Sequence, residues 1–204
     1  NFKGAISFIK VDKASGAMNL AFQIITPPYD YDLSHSGKGP SDGWYFFSCY
    51  NSEQANSLLE VNASQKDKDF IMAVNWKKIE EYVAQNKGTM MNTKYAHNVW
   101  NESKQLAESE MLTTVRTLKP EDIPGSIFYL PCPKSPHGAD VDPTGEYIVG
   151  GGKLATIIPV FSFSKMKSAI DAKQFDGEVE GIPVLKYDAC LSGEVKDPGL
   201  GPLH

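Results

Sequence analysis

The chain has 204 residues, of which 41% are apolar and 22% are charged, and its formal net charge is -5 at pH 7. This apolar content is enough for a sizeable core in one domain or two small ones. The lysines and arginines are scattered through an acidic chain, which disfavours a nucleic-acid binder. Each apolar run is shorter than the ~20 residues that cross a bilayer, so we expect no membrane-spanning segment.

Short apolar runs separated by 13 prolines and 17 glycines are typical of an all-β protein. The first two runs are expected to form a hairpin around residues 13–16. Tight turns are expected at residues 142–145 and 151–153. The predicted strands are residues 5–11, 18–25, 44–50, 69–75, 127–130, 147–149, 154–161 and 182–187.

Two segments have helical periodicity, residues 76–85 and 164–172, and each follows a predicted strand. They align at an offset of 87 residues, with Lys78 on Lys165. This offset corresponds to two units of the ~40–50 residues typical of propeller blades. The pattern therefore favours a β-propeller, either a small closed one or an arc of a larger ring. A β-sandwich with ordinary hairpins is the alternative.

The four histidines, His35, His97, His137 and His204, have no zinc-motif spacing. The first two lie in polar segments, where a solvated or structural role is expected. His137 stands between a proline and a glycine, and His204 ends a Gly-Pro-Leu-His run, so both are expected in stiff loops. Imidazole suits copper, and blade-end loops converge near a propeller axis. The two rings could therefore share a metal, although an ordinary loop role stays open.

Acidic and phenolic oxygens gather around a second position. Tyr50 and Glu53 end a predicted strand, and Asp67 and Asp69 begin the next one. Such oxygens suit calcium, and solvated loop charges are the alternative. The odd number of cysteines, with no CxxC pair, predicts neither a disulfide framework nor a zinc site.

Four dispersed motifs, taken in chain order, resemble the nitrous-oxide reductase family. They are residues 49–53, 135–138, 151–154 and, above all, 199–204. The resemblance implies an all-β fold that is part of a seven-bladed β-propeller, with short helices after some strands. Residues 1–204 would belong to the N-terminal propeller domain, and a C-terminal cupredoxin domain would lie outside this chain.

The resemblance also implies an activity and its setting. The whole enzyme reduces nitrous oxide to dinitrogen and water in denitrification, as a periplasmic homodimer. Its electrons come from a donor such as a c-type cytochrome or a cupredoxin. A non-catalytic β-propeller binding module is the alternative function, in which the histidines are structural.

On the resemblance, His137 and His204 are catalytic ligands of a tetranuclear copper-sulfide cluster, whose other histidines lie outside the chain. A dinuclear copper centre belongs to the cupredoxin domain, and this piece alone is expected to be inactive. The calcium ligands implied are Tyr50, Glu53 and Asp69, with a backbone oxygen of Val61. An acid beside the cluster is implied at Asp30 or Asp32, and Ser135 replaces an asparagine of the better-known branch.

Overall fold

The computed structural model describes residues 4–50, 69–96, 100–101, 106–107, 110–152 and 155–196. These residues form a mostly β structure, as the sequence predicts. The helices are α1 (Trp76–Ala84), α2 (Phe163–Asp171) and α3 (Tyr187–Cys190). The strands are β1 (Gly4–Val11), β2 (Met18–Thr26), β3 (Asp30–Ser36), β4 (Trp44–Tyr50), β5 (Phe70–Asn75), β6 (Thr89–Ala96), β7 (Trp100–Asn101), β8 (Leu106–Ala107), β9 (Glu110–Leu118), β10 (Ile127–Pro131), β11 (Pro136–Val141), β12 (Tyr147–Gly152), β13 (Ile157–Ser162), β14 (Phe175–Val179), β15 (Ile182–Leu185) and β16 (Leu191–Lys196).

Two sets of four antiparallel strands, called here the first and second sheets, make up much of the described residues. The first sheet has the order β3-β4-β5-β10, and the second sheet has the order β11-β12-β13-β16. In both, three strands follow one another along the chain, and the fourth returns after an insertion that contains a helix. This topology is compatible with consecutive blades of a partial β-propeller. The described ranges do not close into a ring.

The insertions build the remaining sheets. The hairpin of β14 and β15 extends the first sheet, because β15 pairs in parallel with β10. A third sheet has the order β1-β2-β9-β6, in which only β2 and β9 are parallel. The short strands β7 and β8 pair with each other.

The internal repeat is present, but its interval differs from the prediction. Helix α1 follows the third strand of the first sheet, and α2 follows the third strand of the second sheet. The helices bury Ile79 and Met166 at equivalent positions. The 87-residue offset therefore separates neighbouring sheets, so the prediction that it spans two blades was wrong. The long insertion between α1 and β10 accounts for the extra length.

The first sheet is buried on both faces. One face packs against the second sheet, where Phe46 and Ile71 belong to the same cluster as Phe161. The other face packs against the third sheet, where Met72 joins Phe22. Residues 70–74 of β5 are all buried, so this strand is a continuous apolar run rather than an alternating one. Burying each large apolar side chain stabilises the fold by roughly 1.5–3 kcal/mol. The packing of the first sheet against the second therefore fixes their relative orientation.

Several local predictions are corrected. The 142–145 turn is confirmed by the bond from the Gly145 amide to the Asp142 carbonyl. Of the turn expected at residues 151–153, the first two residues belong to β12, the Ala155 amide donates to the Gly152 carbonyl, and residue 153 lies outside the described residues. A Cβ on Gly150 would lie 2.9 Å from Cys132 Sγ, so the glycine lets the segment before β11 rest against a strand. The strand expected at 182–187 ends at Leu185, and α3 follows.

Within the described ranges, no helix combines the length and the apolar character that crossing a membrane requires.

Candidate functional site

His137 lies on a strand, so its expected position in a loop was wrong. It is the second residue of β11, and the pairing with β12 shifts around it: Pro136 faces Gly152, whereas Gly138 faces Gly151. His137 is therefore the extra residue of a β-bulge. Bulges occur near functional sites because they redirect one side chain without ending the strand.

The turn that leads into β11 is held by Asp69. This buried residue directly precedes β5, and its Oδ2 accepts a 2.6 Å hydrogen bond from the Ser135 amide. Its carbonyl oxygen accepts a 3.0 Å bond from the Cys132 amide. Ser135 is itself buried and has a left-handed φ of 55°. Asp69 therefore holds the backbone of the turn that directly precedes His137.

The imidazole of His137 is oriented by Asp32 on β3. His137 Nε2 lies 3.0 Å from Asp32 Oδ2. The same oxygen accepts a 3.2 Å bond from the Tyr50 hydroxyl. The side chains of His137 and Asp32 are 32% and 29% exposed, so the pair is partly shielded from water. When the ring is neutral, a carboxylate at Nε2 selects the tautomer that carries the proton there and the lone pair on Nδ1.

Of the two aspartates that the sequence left open, one is seen in contact with His137. Asp32 lies beside His137, whereas the side chain of Asp30 lies outside the described part. The pairing of β3 with β4 shifts between Tyr31 and Ser34, so a second bulge occurs at Asp32. No sequence periodicity shows such a shift, and β3 itself was not predicted.

Two of the expected calcium ligands, Tyr50 and Asp69, lie within the described residues. Cys49 pairs with Phe70, so Tyr50 and Asp69 lie at the same end of the β4–β5 pair. Glu53 and Val61 fall in residues 51–68, outside the described residues, and so does His204. The described residues include no group of three or more histidine, cysteine, aspartate or glutamate side chains that could hold a metal ion.

A second histidine lies on the same pair of strands. His35 was expected in a polar loop, but it lies on β3. Its Nδ1 is 3.3 Å from Asp140 Oδ1 and 3.3 Å from the Val141 amide nitrogen, both on β11. A given protonation state of Nδ1 can donate to the carboxylate or accept from the amide, but not both. Strands β3 and β11 are thus linked by two histidine–aspartate pairs, and each strand contributes one histidine and one aspartate.

The three cysteines are free thiols. Cys49, Phe70 and Pro131 face one another across three strands, so Cys132 lies on the opposite side of the first sheet from Cys49. Burial raises the pKa of the Cys49 thiol and raises that of Cys190 to about 12. These thiols are suited to packing rather than to nucleophilic chemistry.

No family model matches the chain. It is 24% identical over 187 residues to a nitrous-oxide reductase of Pseudomonas fluorescens. It is 26% identical over 191 residues to a nitrous-oxide reductase of Stutzerimonas stutzeri. The chain is a distant relative of these enzymes. Each match covers 92% of the chain, which spans about a quarter of the length of these curated relatives.

Proposed function

We propose that this chain is part of a nitrous-oxide reductase and contributes to the copper cluster that reduces nitrous oxide to dinitrogen and water. The observation that carries the proposal is the His137–Asp32 pair. The ring lies in a bulge of one sheet and is oriented by a carboxylate in a bulge of its neighbour. The similarity to two enzymes of that name along 92% of the chain supports it.

The chemistry explains why imidazoles would be used. Nitrous oxide is a weak ligand and kinetically inert, so a copper cluster would bind it and supply two electrons while two protons convert its oxygen to water. A neutral imidazole suits copper and brings no buried negative charge when the metal changes oxidation state. Asp32 would fix the tautomer and direction of the His137 ring.

The residues of this chain fit only part of such a site. His137 is the one proposed copper ligand within the described residues, and His204 is proposed as a second. The remaining histidines would come from elsewhere in a longer protein, so this piece alone would be inactive. We propose that residues 1–204 belong to the N-terminal propeller domain of a periplasmic homodimer. A cupredoxin domain with a dinuclear copper centre would complete it, and a c-type cytochrome or cupredoxin would donate electrons.

Calcium is the second proposed metal. Tyr50, Glu53 and Asp69 would contribute oxygen ligands at the end of the β4–β5 pair. Because Asp69 also accepts from the Ser135 amide, an ion there would stabilise the turn that leads into β11. Calcium would thereby support the placement of His137.

The copper proposal is tested in the full-length protein that contains this chain. His137→Gln should lose copper and nitrous-oxide reduction, measured by elemental analysis and by gas chromatography of dinitrogen. His35→Gln is the matched control, because His35 lies on the same pair of strands and also contacts an aspartate, Asp140. Equal copper content in the two variants would count against His137 as a ligand. A full-length protein that binds no copper would favour the non-catalytic binding module.

The calcium proposal has its own variant. Asp69→Asn keeps an oxygen acceptor for the Ser135 amide but removes the charge. We expect calcium affinity, measured by equilibrium dialysis, to fall about tenfold or more. Asp176→Asn removes an exposed carboxylate on β14 and should leave affinity unchanged. Equal affinities in the two variants would show that Asp69 has only a structural role.

A further inference from the structure

A buried hydroxyl contacts the backbone of both strands that carry the His137–Asp32 pair. Ser48 is on β4 and is fully buried. Its Oγ is 3.2 Å from the carbonyl oxygen of Leu33 and 3.3 Å from that of His137. A serine hydroxyl has one proton, so these two carbonyls share a single donor.

The two carbonyls belong to the two β-bulges. In the β3–β4 pairing, Tyr31 faces Cys49 and Ser34 faces Phe47, so Asp32 and Leu33 together oppose Ser48. In β11, His137 is the extra residue. A bulge disrupts the regular hydrogen-bond ladder locally. The Ser48 hydroxyl thus contacts one carbonyl next to Asp32 and another on His137 itself.

We propose that Ser48 is a positioning residue that locks these two bulges together and so keeps His137 Nε2 against Asp32. The hydroxyl donates to one carbonyl or the other, so its loss removes a hydrogen bond between the strands and should let both bulges move. The effect of Ser48 on copper binding rests on the proposed function. The effect of Ser48 on the position of the His137 ring is independent of that function, and it can be measured in the metal-free protein.

Two substitutions separate the hydrogen bond from simple packing. Ser48→Ala removes the donor and leaves a small space, whereas Ser48→Cys fills the space with a weak donor. Ser126→Ala is the matched control. Ser126 is also fully buried, but its hydroxyl has no hydrogen-bond partner among the described residues. Its loss should leave His137 unaffected.

The readout is the rate at which diethyl pyrocarbonate modifies His137 in the metal-free full-length protein, followed by peptide mass spectrometry. His35 is the internal reference, since its side chain is similarly exposed at 38%. We expect Ser48→Ala and Ser48→Cys both to accelerate modification of His137, by roughly three- to tenfold, the effect of losing one ordinary hydrogen bond. His35 in all variants, and His137 in Ser126→Ala, should react as in the wild type.

Two outcomes would overturn the role of Ser48. If only Ser48→Ala accelerates the reaction, a thiol that fills the space is sufficient and the hydroxyl is not what holds the ring. If neither variant differs from wild type, Ser48 does not hold the ring. In the copper-loaded protein, both variants should retain copper about tenfold less tightly than wild type. A wild type that binds no copper refutes the proposed function, and the modification rates alone then decide on Ser48.

Discussion

Asn75 and Ser162, 87 residues apart, are the N-caps of α1 and α2 and accept the same hydrogen bond. Asn75 Oδ1 accepts from the Lys78 amide at 3.0 Å, and Ser162 Oγ accepts from the Lys165 amide at 3.1 Å. Each side chain thereby satisfies an amide that the first turn leaves unpaired. The repeat is therefore one of local chemistry as well as of topology.

Removing either cap should destabilise its helix. Asn75→Ala is expected to cost about 0.5–2 kcal/mol. Ser162→Ala should cost more, because Ser162 Oγ also lies 2.6 Å from Glu146 Oε1. Hydrogen exchange at the Lys78 and Lys165 amides measures each effect locally. Asn75→Ser and Ser162→Thr keep an acceptor and serve as controls; equal exchange in the alanine variants and these controls would contradict the capping role.

The turn at Asp142 should lose stability in acid. The amides of Tyr147 and Thr144 donate to this carboxylate and hold its pKa at about 2, below the ordinary 3.8. Because the folded pKa is lower than the unfolded one, this stabilisation is present above pH ~4 and is lost as the pH falls through about 2. Asp142→Asn cannot titrate, so the protection factor of the Tyr147 amide should lose this pH dependence. An unchanged pH profile in the variant would assign the acid sensitivity to another group.

Gly150 should not tolerate a side chain. An added Cβ would lie 2.8 Å from Ile71 Cδ1 and 2.9 Å from Cys132 Sγ. Gly150→Ala is expected to lower the free energy of unfolding by about 1–3 kcal/mol. Adding Cys132→Ala should recover part of that loss. Gly193→Ala is the control, because its Cβ would meet nothing within 4 Å. Additive effects of Gly150→Ala and Cys132→Ala would show that the two positions do not clash.

Asp32 and Tyr50 should affect copper retention unequally. Asp32 contacts His137 directly, whereas the Tyr50 hydroxyl contacts Asp32. If the proposed function holds, Asp32→Asn should weaken copper retention in the full-length protein by about 10–100-fold. Tyr50→Phe should have a smaller effect. Competition with a copper chelator measures both, and a larger effect of Tyr50→Phe would contradict this order.

The predicted strands were mainly those with clear apolar runs. Strands β4, β5 and β10 were predicted closely because they lie inside the first sheet, where buried faces require apolar side chains. Strands β3 and β11 were missed because polar residues and glycine interrupt them. These two strands carry Asp32 and His137. The sequence placed Tyr50 correctly at the end of β4 and Asp69 within one residue of β5, but it placed His137 in a loop.

The sequence by itself determined the all-β class and the two helices, because each depends on apolar spacing among residues within a few positions of one another. Only the tertiary structure decided that His137 contacts Asp32 and that the Ser48 hydroxyl contacts the backbone of both strands. Ser48 and His137 are 89 residues apart in the chain. Their contact depends on two register shifts and on the packing of one sheet against its neighbour, and no local pattern encodes these features.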